Sequence, residues 1–271
     1  MNGIMNVVFA LLLSVSTAVP AHAQRIEWET LNDEVMSLYR QGNYDRAIVV
    51  AKKALQVAEQ SVDPNHPDVA MSLNNLAALY KAQGQYAQAE PLYKHSLAIR
   101  EKALSPNHPD VATSLNNLAL LYGRQGQYAQ AEPLYKRSLA IREKALGPNH
   151  PDVAKSLNNL AMLYGRQGKY TQAEPLYKRS LAISEKALGP NHPDVAQSLN
   201  NLAGLYDTQG QYAQAEPLYK RSLAILEESL GPNHPHVATS LENMAEMYRR
   251  TGREKTAEKL EKRAAAIRAI I

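Results

Sequence analysis

The chain has no cysteine, and only one phenylalanine and one tryptophan among its 271 residues. Without cysteine it can build neither a disulfide framework nor a lipid-modified thiol anchor. An excess of one charge is missing too: 30 Lys and Arg stand against 26 Asp and Glu, a net charge of +4. That balance is too mild to argue for nucleic acid, whose binding takes a concentrated basic surface. The most apolar run, residues 4–19, is short for a bilayer crossing, which takes about 20 residues. Tyrosine is the exception among the aromatics, with fifteen copies. Such a bias arises when one residue type is copied by a repeat.

The first 23 residues carry no Asp, Glu, Lys or Arg, and Ala21-His22-Ala23 fits the small-x-small pattern of a processing site. The pattern predicts a signal peptide over residues 1–23, cut between Ala23 and Gln24. The n-region departs from the usual form, since only the α-amino group supplies charge there. An uncleaved anchor is the alternative. A cleaved signal implies export, to the periplasm of a Gram-negative cell or beyond it.

Pro64-Asn65-His66-Pro67 recurs at Pro106, Pro148, Pro190 and Pro232, a spacing of 42 residues. A fixed period of this size is the signature of a solenoid. Within one unit Leu115, Leu118, Ala119 and Tyr122 fall at i, i+3, i+4 and i+7, one face of a helix. Gln125-Gly126-Gln127 breaks the pattern, with glycine at the helix end. Ala131, Leu134, Tyr135 and Ser138 begin a second stripe, which Gly147-Pro148-Asn149-His150 ends. Pro151 then suits the first turn of the next helix, where its missing N–H costs nothing. Each unit therefore reads as helix, tight turn, helix, longer turn. Pro91, Pro133, Pro175 and Pro217 fall inside the second helices, where proline removes a hydrogen bond. A tolerated bend near the helix start is expected there.

Leu115, Leu118, Ala119, Tyr122, Gly126, Tyr128, Ala131 and Tyr135 resemble the large and small packing positions of the tetratricopeptide repeat. The longer second helix, the Gly-Pro-Asn-His-Pro ending and the Asn116-Asn117-Leu118-Ala119 segment resemble the 42-residue repeats of kinesin light chains and their bacterial relatives, here in an exported form. The resemblance spans residues 69–238 and implies an all-α, right-handed superhelical solenoid of about six hairpins. It gives a capping repeat over 24–66, four near-identical repeats over 67–236 and a second cap over 237–271. The caps fit more loosely, with Glu34 and Glu261 where packing residues are expected. Polar outer faces are what terminal repeats need.

Nothing in the chain reads as an enzyme or a cofactor site. His66, His108, His150, His192 and His234 occupy equivalent turns, which neighbouring hairpins would hold about 10 Å apart. A zinc ion needs its ligand atoms about 2 Å away, so these histidines share no metal, and a turn or cap role is expected. Asp, His and Ser recur in each unit through duplication, without one activated nucleophile. Gly165-Arg166-Gln167-Gly168-Lys169-Tyr170 ends a helix and has Tyr where a phosphate loop needs Ser or Thr. Lys136, Arg137, Arg142 and Lys144 read as a solvated face shared with Glu132 and Glu143.

The copies differ in few places. Between residues 69 and 83 and their counterparts only four columns vary: Met71/Thr113/Lys155/Gln197, Ala78/Leu120/Met162/Gly204, Lys81/Gly123/Gly165/Asp207 and Ala82/Arg124/Arg166/Thr208. They share one side of the first helix, opposite the Leu/Ala/Tyr stripe. In tetratricopeptide proteins that side lines a concave groove, which the resemblance implies here. Asn74, Asn75, Asn116, Asn117, Asn158, Asn159, Asn200 and Asn201 border the columns, with amides able to donate and accept along a peptide backbone. Lys81, Arg124, Lys155 and Arg166 make the groove basic, and Asp207 opposes them, so an acidic partner segment is expected. The two-carboxylate clamp of chaperone-binding relatives is not reproduced, because Asn116 and Asn158 stand at its basic positions. The expected function is a protein-binding scaffold without cofactor, nucleic acid or, after processing, a membrane span. Self-association into a structural solenoid is the alternative, and the signal-like N-terminus argues against a motor-cargo role.

Overall fold

The computed structural model describes residues 21–270. Among these, twelve helices form six hairpins. They are α1 (Ala21–Arg40) with α2 (Tyr44–Ser61), α3 (Pro67–Ala82) with α4 (Tyr86–Ala103), and α5 (Pro109–Arg124) with α6 (Tyr128–Leu146). α7 (Pro151–Arg166) pairs with α8 (Tyr170–Leu188), α9 (Pro193–Thr208) with α10 (Tyr212–Leu230), and α11 (Pro235–Arg250) with α12 (Glu254–Arg268). Of the predicted signal peptide, residues 1–23, all but the processing motif Ala21-His22-Ala23 lies outside the described residues. Ala23 and Gln24 lie in the first turn of α1, ahead of its core residues Trp28, Leu31, Val35 and Leu38. No described helix is long and apolar enough to cross a membrane.

The helix starts follow from the Asn-His-Pro turns. His66, His108, His150, His192 and His234 are N-caps, each with Nδ1 accepting the backbone N–H two residues on, at 3.1–3.2 Å. Proline at the first helical position has no N–H, so the next residue's amide is the first donor needing a partner. The imidazole serves it as Ser or Asp does in other proteins. At the hairpin turns Gly126 has φ 74°, a left-handed conformation that ends α5 and turns Gln127 N–H onto the Tyr122 carbonyl at 2.8 Å. The internal prolines leave α4, α6, α8 and α10 continuous, each at the sixth helical residue.

The core is long and narrow instead of central. Ala77, Ala119, Ala161, Ala203 and Ala245 are fully buried, and one apolar cluster runs from Ala77 to Ala257 through Tyr93, Tyr135, Tyr177 and Tyr219. Each helix packs on its neighbours in the chain. The backbones of the first helices of successive hairpins also approach one another closely, α1 on α3, α3 on α5 and so on to α11, whereas the second helices stand further apart and meet through long side chains such as Arg137 on Glu101. The stack is therefore tighter on the first-helix side, which makes that side the inner face of its curve.

Candidate functional site

The inner face is built from the first helices and carries the columns that distinguish the copies. Their burial separates them by angle. At about 100° per residue, offsets 0, +7 and +11 lie within about 40° of one another, whereas +10 lies about 80° to one side. Accordingly Met71, Lys155, Gln197, Arg124, Arg166 and Thr208 are exposed, and Thr113, Ala78, Leu120 and Met162 are half-buried. The +10 column is turned toward the adjacent first helix. Gly123 is buried against Leu163, and Asp207 is only 7% exposed, with Arg250 of α11 at 3.4 Å. Asp207 is thus an inter-repeat partner and not the open groove charge expected of it. Burial raises its carboxyl pKa, and its Oδ1 has no hydrogen-bond partner. Lys81 in the same column is half-buried beside the Tyr93 ring, and burial, with Arg124 nearby, lowers its pKa.

The asparagines have a structural task beside the expected one. Asn75, Asn117, Asn159, Asn201 and Asn243 each donate from Nδ2 to Oδ1 of Asn32, Asn74, Asn116, Asn158 and Asn200, at 2.9–3.2 Å. Every bond joins one first helix to the next, and each contributes about 0.5–1.5 kcal/mol net. The ladder thus uses half of the amide groups that were expected to meet a peptide. Asn32 in α1 was not singled out in the sequence, although the 43-residue offset of every rung leads to it. The Nδ2 groups of Asn74, Asn116 and Asn158, and the Oδ1 groups of Asn75, Asn117 and Asn159, have no partner among the described residues.

Two cations of the groove stand open. Arg124 and Arg166 are exposed and pair with no carboxylate among the described residues; Arg166 donates only to the Gly123 carbonyl, at 3.4 Å. Lys155 lies between Asp152 and Asp194 at 3.7 and 3.8 Å, too long for a tight ion pair. Among the described residues, several cavities open on this face, three of them lined by residues of more than one variable copy. One of about 70 Å³ lies between Arg124, Tyr135, Met162 and Arg166. A second, about 420 Å³, extends from Met162 and Arg166 past Gly204 to Asn243. The third, about 340 Å³, is lined by Asn116, Lys155, Asn158, Gln197 and the floor residues Ser180 and Ser184.

Ser184 marks a break in a buried row. Arg100 and Arg142 are 6% and 9% exposed, each donating to a carbonyl and a serine of the next hairpin: Asp110 and Ser114, and Asp152 and Ser156. Arg142 therefore does not belong to the solvated face on which the sequence reading put it. Its neighbours do: Lys136 pairs with Glu132 at 2.7 Å, and Arg137 with Glu101 at 2.6 Å. Ser184 and Leu226 occupy the later copies of the arginine position. Ser240 Oγ, the counterpart of Ser114 next to Leu226, is left buried without a partner.

The sequence profile of the tetratricopeptide repeat matches residues 29–102, 73–144, 110–186, 152–228 and 208–269. Among solved structures the chain is similar to BtubC (BKLC) from P. vanneervenii, at 25% identity and TM-score 0.64, covering 92% of each chain. It is also similar to a Podosopora anserina chain designated a kinesin light chain, with nearly identical TPR-like repeats. Here the identity is 28% and the TM-score 0.64, over 77% of this chain and 98% of that one. A Rap protein complexed with competence and sporulation factor shares the fold at TM-score 0.65 and 18% identity, over 90% of this chain and 75% of that one. No curated protein sequence matches.

Proposed function

We propose that this chain, which belongs to the tetratricopeptide repeat family and carries kinesin-light-chain-like repeats, is an exported scaffold that holds an extended, acidic protein segment on its inner face. One observation carries the reading. Nearly identical copies differ at columns that line three of the inner-face cavities, and two of the differing residues, Arg124 and Arg166, are open cations. Varied side chains on a fixed ladder are how a repeat scaffold acquires one preferred partner. The Rap protein, which shares the fold, is complexed with competence and sporulation factor. No catalytic step belongs to the proposal.

Capture from the cell envelope of the source organism tests the binding role. A partner that is retained at low salt, released as salt rises and held through an acidic stretch supports it. A partner retained equally in high salt overturns the acidic assignment, because screening shortens the reach of exposed charges to about 10 Å at 0.1 M. Export has its own test. The exported protein should begin at Gln24 by intact mass, and Met1 retained in a membrane fraction overturns cleavage.

Self-association is the second reading, and Ile26, Met36, Tyr39 and Val49 favour it. These exposed apolar residues lie on α1 and α2, the first described hairpin. Light scattering across concentrations separates the two readings, since end-to-end growth must rise with concentration.

A further inference from the structure

The cavity beside Gly204 is a feature that packing does not require. Gly204 stands where the other copies have Ala78, Leu120 and Met162. Its backbone is ordinary helix, and an added Cβ would meet the Tyr219 hydroxyl at 3.5 Å, a normal contact. Neither strain nor crowding therefore calls for glycine, which is a poorer residue in a helix interior than alanine. Glycine leaves out a side chain at the edge of a cavity of about 420 Å³ that Tyr177 and Tyr219 also line, with the Tyr219 hydroxyl next to the glycine.

Those two side chains are 5% and 3% exposed, and neither hydroxyl has a hydrogen-bond partner among the described residues. Both residues line the open cavity and their protons are not taken up by the protein, so a ligand acceptor there would replace water and not a protein partner. Arg166 is the one charged residue lining the cavity, and Asn200 adds a donor, since its Oδ1 is already taken by Asn243. Met162 supplies an apolar wall. Asp207, whose charge is felt by Tyr219, is not in the lining and is buried with Arg250 at 3.4 Å. The lining is thus rich in donors, singly positive and without an anion. A single carboxylate fits it, accepting from the guanidinium and from the phenols.

We infer that the Gly204 cavity seats one carboxylate of the bound segment, on Arg166, Tyr177, Tyr219 and Asn200, and that Gly204 is the residue that confers this specificity. The inference rests on the groove reading above and assigns one group within it. The carboxylate can come from a chain terminus or from an Asp or Glu side chain, and the probes distinguish these.

The test is tyrosine-ring NMR on the full-length chain, with the signals of Tyr177 and Tyr219 assigned through their phenylalanine variants. N-acetylleucine offers a terminal carboxylate and N-acetylglutamate α-amide a side-chain one; N-acetylleucinamide and N-acetylglutamine amide are the neutral controls. At least one acid should shift both tyrosines, leaving Tyr93 unmoved, and neither amide should do so. Arg166→Gln should weaken the effect about tenfold or more, the size of a lost charge-assisted hydrogen bond. Gly204→Leu should abolish it, because leucine fills this position in the α5 copy. The same variant should raise the Tm by about 2–4 °C through better helix propensity, which separates blocked binding from a damaged fold. Equal shifts with the amides, no shift with either acid, or full binding by Gly204→Leu would each overturn the inference. The groove reading survives those results if captured partner still depends on Arg124, and falls only if that dependence is absent too.

Discussion

Tyr93→Ala should destabilise the hairpins around α4 by about 3–5 kcal/mol, the cost of truncating a large buried aromatic to alanine. Tyr93 has no exposed surface and sits in the cluster that passes through every hairpin from α3 to α12. Its Oη is buried without a hydrogen-bond partner, so Tyr93→Phe should be neutral or mildly stabilising. The pair separates packing volume from the hydroxyl. In an array whose units contact only their neighbours, the damage should also be local. Amide hydrogen exchange should show protection lost in α3 to α6 and largely kept in α11 and α12. Equal loss from end to end would contradict the nearest-neighbour description, and so would a cost below about 1 kcal/mol in urea unfolding.

How legible these features were depended on whether a residue's duty lay within its own repeat. The period, the hairpins, the glycine turns and the histidine caps could be read because each is satisfied by residues nearby in sequence. His150 caps Asp152 two positions on. Duties that reach into the next repeat were misread. Arg142 sits in the charged stretch Arg142-Glu143-Lys144 and looked solvated, yet it follows Tyr135 and Ser138 at i+7 and i+4, on the buried side. Leu226 in the same column was the available clue, since a leucine copy signals an apolar environment.

Glu90 and Lys94 of α4 are unchanged in the copies in α6, α8 and α10, and the cause is inter-repeat as well. Tyr122, Tyr164, Tyr206 and Tyr248 donate to Glu90, Glu132, Glu174 and Glu216 of the preceding hairpins at 3.0–3.1 Å, and those carboxylates also hold Lys94, Lys136, Lys178 and Lys220 at 2.7 Å. Their constancy is structural. The support for the groove is the coincidence of variable columns with cavities, which needed coordinates to see.

Reversing Arg124 and Arg166 to glutamate should weaken binding of an acidic partner by two decades or more. Each arginine is exposed and free of carboxylate partners among the described residues, so the free protein loses little: only the 3.4 Å contact from Arg166 to Gly123. In the complex, each change removes a charge-assisted hydrogen bond worth about 1.5–3 kcal/mol and puts repulsion in its place. A loss of 1.4 kcal/mol is about tenfold, so two such losses exceed a hundredfold even if only partly additive. Neutral Arg124→Gln and Arg166→Gln should fall between, and the salt dependence should flatten in step with the charge removed. The control must lie off the inner face and outside the ion pairs. Lys136 and Arg137 do not qualify, being paired to Glu132 and Glu101. Lys144 and Lys186 do: both are exposed near the ends of second helices, with no carboxylate partner among the described residues. Reversing these two changes the net charge by the same four units and should leave affinity within about twofold at 0.15 M salt, where charges beyond about 8 Å are screened. Circular dichroism must show unchanged helix content in every variant. Equal losses from the two pairs would mean that the partner senses net charge alone, and loss from the lysine pair only would move the binding surface to the second helices.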